Sequence, residues 1–486
     1  MSMTMMNTPA GEKQRSLNSI LVLIVVAAIV IVAFQPYYFG YRLSRDDVWF
    51  FMASTEGFWK VWDHASSVAV DQGRIGQIFM LPLNVLGAFL VGDPAWRVAF
   101  LALYVLQLLL FAIFVSRLLR QDITLFLFLL LVALHPLAFE NMPPNAYPLQ
   151  NTLPFIVVLA ARLIVIRQRQ REVPSRAQIL FAQIAFMIGM FVSEFVVALG
   201  TGLLIAEYLA RFQWGREAGS GWKAALRSAF ARRYLVSDGL AVFIVLVPYG
   251  IFRWFNPSLY EGNSVGSLLH IRRLLGTAFG HIKQGTPLRF LDQPLPPLEG
   301  PDVWVAVAFG IVVAACLYYL SGPVLRIRTP WAVAVVAFLL TIYVSLPIAI
   351  SAKYQIECMD WSKCGYLDSR MSYLPAVATL MGIIAIIGQL PFRRVFIGAV
   401  CIATGAVATL VFLHNAVVAD DMRRYDAVWN RGETVACASP QLIGDEPAFM
   451  ATVDPEALVE LHPPSSPLEF WRVYIPWRAD GRCRIK

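Results

Sequence analysis

The chain has 486 residues, 58% of them hydrophobic and only 15% charged, and its mean hydropathy is +0.61. So much apolar side chain with so little solubilising charge excludes a soluble enzyme and a disordered chain. The formal charge of +8 is read by location, because excess Lys and Arg on a membrane protein marks cytoplasmic loops; no basic soluble face with aromatic platforms is visible, which argues against nucleic acid as a partner.

The first apolar run, Ile20 to Phe34, follows Lys13 and Arg15 and leads into Gln35-Pro36-Tyr37-Tyr38 without a small-x-small cleavage site. It reads as an uncleaved first span, with residues 1–16 cytoplasmic. Basic marks recur at Arg117 and Arg120, at Arg167 to Arg176, at Arg216 to Arg233, at Arg326 and Arg328, and at Arg393 and Arg394. Apolar segments between them predict spans near 96–118, 122–139, 150–167, 178–194, 195–212, 238–255, 302–320, 330–351, 373–390 and 394–413. With the first, that makes roughly eleven transmembrane helices and an all-α polytopic fold, residues 17–413 forming one membrane domain.

The segment 77–91 is apolar too, but a crossing there would put the Arg167–Arg176 cluster outside, against the positive-inside bias. Pro82 and Asn84 fit an interfacial or re-entrant helix, since lipid cannot replace a lost backbone donor. Residues 37–96 then form a large exterior loop, and the same count puts 256–301, 352–372 and a soluble tail, 414–486, outside. Cys358 and Cys364 share one of these loops and Cys437 and Cys483 share the tail, whereas Cys316 and Cys401 lie singly in spans. That distribution suits disulfides in an oxidising compartment; free or metal-binding thiols are the alternative. The tail is long enough for a small domain stapled by its own disulfide.

Ionisable residues at the outer boundary are the places to seek chemistry. After the first span comes Tyr41-Arg42-Leu43-Ser44-Arg45-Asp46-Asp47-Val48-Trp49. Asp46 and Asp47 either cap the helix starting at Val48 or serve as a base that takes a proton from an acceptor hydroxyl. Downstream, Asp71-Gln72-Gly73-Arg74-Ile75-Gly76 offers a second charged site, and the amphiphilic segment ends at Gly92 and Asp93-Pro94-Ala95-Trp96-Arg97.

That order resembles the multi-pass glycosyltransferases of the GT-C fold, which use lipid-linked sugars: a first span, an exterior acidic pair, an interfacial helix leading to a Gly and then an Arg, and the second span. Ser44-Arg45-Asp46-Asp47 followed by Gly73-Arg74 is similar to the serotype-converting glucosyltransferases of bacterial O-antigen. The likeness covers about residues 17–212 in arrangement and is far weaker beyond. It implies an inverting transfer in which an exterior Asp, here Asp46 first and Asp47 second, activates the acceptor hydroxyl while polyprenyl phosphate leaves. The expected partners are a polyprenyl-phosphate sugar donor, an envelope glycan or lipid acceptor and the bilayer, with the active site on the periplasmic side of a bacterial inner membrane.

Further candidates follow from chemistry. Glu140, after His135-Pro136, either orients an acceptor sugar, helps bind a metal, or is an exposed loop acid. Glu194 lies midway through about 35 mostly apolar residues bounded by basic clusters, which predicts two short helices meeting outside with Ser193 and Glu194 at the turn. Lipid phosphate calls for cations: Arg370 shortly before a span is the preferred one, then Arg272, Arg273 and Lys283. Tyr260 and its neighbours suit sugar hydroxyls or an ordinary turn. No phosphate loop, dinucleotide turn, zinc helix or nucleophile elbow is present. The sequence establishes no cofactor; a divalent cation at Asp46, Asp47 and Glu140 is chemically open. The rival readings are a polymerase or ligase of lipid-linked glycans, and a transporter or flippase.

Overall fold

The structure, a computed structural model, describes residues 9–452 apart from 39–49, 51–52, 55, 91–92, 138–146, 151, 172, 261–263, 267, 292–295, 297–300, 361–363, 365–368, 440, 443–447 and 449–451. Among the described residues the fold is all-helical, with one isolated antiparallel bridge, Val265 to Ser351, as its only extended pairing. The helices in chain order are α1 (Pro9–Phe34), α2 (Phe58–Gln72), α3 (Gln77–Leu90), α4 (Pro94–Leu119), α5 (Thr124–Ala133), α6 (Leu153–Arg169), α7 (Arg176–Phe191) and α8 (Glu194–Glu217). They continue with α9 (Trp222–Ala229), α10 (Arg232–Phe255), α11 (Ile271–Gln284), α12 (Pro301–Val324), α13 (Pro330–Ala349), α14 (Ala352–Met359), α15 (Ser369–Ile387) and α16 (Arg393–Ala438).

Six of these, α4, α8, α10, α12, α13 and the Arg393–Arg424 part of α16, are long and apolar enough to cross a bilayer, and five shorter apolar helices accompany them. The chain is a multi-pass helical membrane protein. α10 shows why: only 17% of its apolar window is buried in the protein, and Leu240, Phe243, Ile244 and Ile251 lie on its exposed surface. An apolar helix bare on most of its circumference is stable only against hydrocarbon.

At the centre runs α5, with Leu127, Leu129, Leu130 and Leu131 wholly buried, as expected of a helix apolar all round. It is shorter than the expected 122–139, because Pro136 disfavours helical backbone at the residue before it. The Tyr373 hydroxyl, from α15, donates to the freed Leu131 carbonyl at 2.7 Å. Asn415 on α16 then ties down the chain beyond, its Nδ2 donating to His135 O at 3.0 Å and its Oδ1 accepting from Leu137 N at 2.8 Å. α12 and α16 meet at Gly310 and Gly405: a Cβ on Gly310 would lie 2.5 Å from the Gly405 carbonyl, the close backbone approach that membrane helices use. α16 also runs past the expected span end at 413 as one 46-residue helix, and stops just short of Pro440. The expected exterior loop 37–96 contains α2 and α3, and α3 packs along α2.

The expected loops 256–301 and 352–372 are joined to one another. Gly266 N donates to Ile350 O at 2.7 Å and Ala352 N to Ser264 O at 3.0 Å, and α11 packs on α14. Cys358 and Cys364 form a disulfide, seated where α11 has Gly280, whose Cβ would lie 2.5 Å from Cys364 Sγ. Cys437 is also disulfide-bonded, while Cys316 and Cys401 are free; Cys483 lies outside the described residues. Denatured protein should therefore label with maleimide at Cys316 and Cys401 but at Cys358, Cys364 and Cys437 only after reduction, read by peptide mass spectrometry; labelling of Cys358 without reduction contradicts this.

At the opposite end of the bundle an ion cluster is buried. Arg162 on α6, with no exposed surface, donates to Glu207 of α8 and, at 3.1 Å, to Asp238 of α10. Arg169 reaches both acids, at 3.2 and 2.9 Å, and Arg211 pairs with Glu207. Tyr208 and Gln183 donate to Asp238 at 2.9 and 2.6 Å. The cationic excess of the cluster faces Tyr234, whose ring lies 4.5 Å from Arg169 and 4.3 Å from Arg211. Removing Glu207 takes the carboxylate from Arg211 and one of two from Arg162 and Arg169, leaving buried positive charge in excess, so Glu207→Ala should cost about 3–5 kcal/mol. Asp420→Ala, which breaks the exposed pair with Arg423, should cost under about 1 kcal/mol. Thermal unfolding in detergent distinguishes them, and equal melting temperatures would contradict the assignment.

Candidate functional site

The turn between α2 and α3 is built around two glycines. Gly73 caps α2 with φ at +60°, the left-handed region, and a Cβ there would lie 2.3 Å from the Asn256 carbonyl at the end of α10. A Cβ on Gly76 would lie 2.1 Å from the Tyr249 hydroxyl and 2.6 Å from the Val192 carbonyl. Only glycine lets the turn press so closely into the ends of α7 and α10. Arg253 locks the contact from the other side, donating to Gln72 O at 2.9 Å, and Tyr249 donates to Phe191 O at 2.8 Å.

Between these glycines Arg74 extends onto Glu194. Nε donates to Oε1 at 2.8 Å and Nη2 to Oε2, a bidentate pair that fixes direction as well as distance. Glu194 opens α8, and Ser193 caps that helix by accepting from Phe195 N at 3.2 Å. A carboxylate in the first turn is also favoured by the helix dipole.

The pair faces a cavity of about 960 Å³ at this end of the bundle. Its walls include the amides of Gln72, Gln77, Asn84 and Gln150, the rings of Phe50, Tyr147, Tyr249, Tyr260 and Tyr343, and the guanidinium-bearing Arg74 and Arg253. Phe50 and Tyr147 touch edge to face with centroids 5.7 Å apart, so chain segments from either side of α3–α5 meet at the rim. Among the described residues, Asn84 Oδ1 and Gln150 Oε1 are buried acceptors without a hydrogen-bond partner. A buried acceptor without a donor is costly, and two of them lining one cavity fit a ligand rich in hydroxyls.

Lys353, in the first turn of α14, adds a cation beside the lining residues, donating to the Tyr260 hydroxyl at 3.2 Å and standing 3.7 Å from Glu357. Burial works against its charge, but Tyr260 and Glu357 outweigh that and hold its pKa above the ordinary lysine value.

The cavity thus brings together three of the residues expected from sequence, Arg74, Glu194 and Tyr260. Asp71 is exposed beside it and offers only its backbone carbonyl, to Leu259 N at 3.0 Å. Arg272, Arg273 and Lys283 lie on α11 away from the lining: Arg272 is exposed and Arg273 pairs with Asp360 at 3.2 Å. Arg370 falls in the first turn of α15, and its side chain is outside what the structure describes, as are Asp46, Asp47 and Glu140 altogether. Arg253, Tyr249, Lys353 and Gln150 were missed by sequence reasoning. Arg253 carried a usable signal, being a cation at the outer end of a predicted span. Among the described residues no cluster of His, Cys, Asp and Glu can hold a metal ion; the acids considered for a cation from sequence lie outside them.

Comparison with protein-family models, curated proteins and solved structures yields no match.

A Cβ at position 76 cannot be accommodated without moving Tyr249 or the Val192 backbone. Gly76→Ala should therefore cost about 1–3 kcal/mol by overpacking and loosen the Arg74–Glu194 pair. With side-chain exposures of 17% and 37%, a double-mutant cycle of Arg74→Gln and Glu194→Gln should give a coupling of roughly 1–3 kcal/mol, between exposed and buried pairs. In the Gly76→Ala background that coupling should fall toward zero; full retention would show that the glycine does not position the arginine.

Proposed function

We propose that this cavity is the active site of an inverting membrane glycosyltransferase, which moves a sugar from a polyprenyl-phosphate donor to a cell-envelope glycan or lipid. The observation that carries the reading is the presence, in one cavity of a membrane protein, of the cation Arg253 and of two acceptors unpartnered among the described residues, Asn84 Oδ1 and Gln150 Oε1. Cations suit a phosphate and orphan acceptors suit sugar hydroxyls, and a lipid-linked sugar carries both. The aromatic rings give the sugar faces to pack on.

In this reading the protein crosses the inner membrane about eleven times, with the amino terminus cytoplasmic, the carboxyl terminus periplasmic and the cavity on the periplasmic side. Asp46, with Asp47 as second choice, removes the proton of the acceptor hydroxyl as its oxygen forms a bond to the anomeric carbon. The bond from that carbon to the phosphate oxygen breaks on the opposite face, and its electron pair leaves with the polyprenyl phosphate. Arg253 and Lys353, with Arg370 of the first turn of α15, stabilise the charge that grows on the leaving oxygen. Arg74 is held by Glu194 and shapes the acceptor side.

Mass spectrometry of envelope glycans and lipids from a deletion strain, complemented with wild type or variants, tests this. Wild type should restore a single-sugar mass increment, Asp46→Asn/Asp47→Asn should abolish it, and Arg253→Gln should lower transfer about 10²–10³-fold. Unchanged glycans with accumulated lipid-linked precursor would replace transfer with transport, and full transfer by the double aspartate variant would refute the assigned base.

A further inference from the structure

A second cavity, of about 510 Å³, lies between α4, α8 and α13. Along α8 its lining runs from Leu199 to Glu217 and along α13 from Thr329 to Val344, so at 1.5 Å per residue it is an elongated cleft of roughly 22–27 Å, long enough for one extended acyl chain. Its walls are Leu, Val, Ala and Phe for most of that length, and Gly202 and Ala206 leave room where large side chains would close it.

The polar end differs sharply. Arg120, Arg328, Gln121, Gln213 and Thr329 line the cleft where α4 and α8 finish and α13 begins. Arg120 keeps a left-handed backbone at the end of α4, with φ at +51°, where glycine is usual. Its guanidinium lies 4.0 Å over the ring of Trp214, itself fixed by a 2.9 Å bond from Nε1 to Leu118 O. Arg328 is exposed at the same mouth. Glu217 also lines it and accepts from Gln213 at 3.2 Å, leaving the two arginines in excess. This is the arginine-rich end of the bundle, opposite the Arg74–Glu194 cavity, and the positive-inside bias makes it cytoplasmic.

We infer that the cleft is a binding site for one anionic phospholipid of the cytoplasmic leaflet, its acyl chain lying between α8 and α13 and its phosphate bonded by Arg120 and Arg328. Charge complementarity at one end and an apolar slot of acyl-chain length behind it select that occupant. A polyprenyl tail reaching in from the other cavity would have no use for cations at the far end. The site is independent of the reaction proposed above.

Native mass spectrometry of the full chain, released from nanodiscs of phosphatidylcholine containing a minor fraction of phosphatidylglycerol, reads the result directly. Wild type should retain one phosphatidylglycerol in preference to phosphatidylcholine. Arg120→Gln/Arg328→Gln should lose that preference by about tenfold or more, the worth of a charge-assisted bond. Arg326→Gln, which removes one charge at an exposed arginine outside the lining, should leave it intact. Ala210→Phe, which fills the cleft, should lose the adduct altogether while remaining monodisperse and helical by circular dichroism. Equal retention of the two lipids by wild type, the same loss with Arg326→Gln, an adduct of isoprenoid mass, or an undiminished adduct in Ala210→Phe would each overturn the proposal.

Discussion

A guanidinium without solvent exposure cannot stay charged among helices unless carboxylates meet it, and Arg162 is such a group. Glu207 and Asp238 answer it from α8 and α10, so three helices are held in one register by a contact that tolerates little sliding. Asp238 lies near the start of α10 and Glu207 just past the middle of α8, while the residues of the cavity lie at the start of α8 and the end of α10. Glu194 is thirteen residues from Glu207 and Arg253 fifteen from Asp238, about 20 Å along each axis. Stiff helices carry the constraint across that distance: once the ion cluster sets α8 beside α10, the mouths at the far end have a fixed separation, into which the Gly73–Gly76 turn fits.

That fit explains why the turn has its composition. Backbone carbonyls of Asn256 and Val192 stand where side chains of residues 73 and 76 would begin, so the turn can enter only without Cβ atoms. Arg74, between them, is delivered to Glu194 by backbone geometry and not by its own flexible side chain. The ion pair in turn gives the carboxylate at the start of α8 a partner in a place where hydration is incomplete. A rigid floor under the cavity leaves its chemistry to groups on the walls, and those walls come from segments distant in sequence: α3, the start of α8, the end of α10 and the joined loops around Val265 and Ser351.

How much of this was legible beforehand depends on whether the signal was local. Helix positions followed from runs of apolar residues, and the break at Ser193 and Glu194 followed from the distance between basic clusters. The Arg167–Arg176 group served as a topological mark, but its partners were overlooked. Arg162, Glu207 and Asp238 each sit in a predicted span or at its edge, and the reasoning that singled out Glu194 as costly in lipid applies equally to them. What sequence could not supply was their mutual facing, since that depends on helix rotation. Arg272, Arg273 and Lys283 fail for the converse reason. They lie in the right loop, but α11 packs on α13 and α14 and leaves Arg272 facing solvent, with Arg273 turned to Asp360. Asn84 was visible as a polar residue in an apolar segment, yet its lack of a partner among the described residues is a property of packing alone.

The two cavities meet back to back, since Ala198 and Tyr343 line one while Leu199 and Val344 line the other. The partition between them is thin. The Thr201 and Tyr343 hydroxyls share a hydrogen bond of 2.8 Å, and Thr201 also reaches the Val197 carbonyl at 2.7 Å, so both polar groups are satisfied within the wall. The Tyr343 ring covers Gly202 at van der Waals distance, 3.6 Å from where its Cβ would be. Charges on one side of such a wall keep their strength only if water does not pass through, because attraction between an arginine and a phosphate weakens in proportion to the local dielectric. An acyl chain in the apolar cleft would keep that side dry as well as filled. The aromatic partition would then let a polar, ligand-binding chamber and a lipid slot share one helix pair without either being opened to the other.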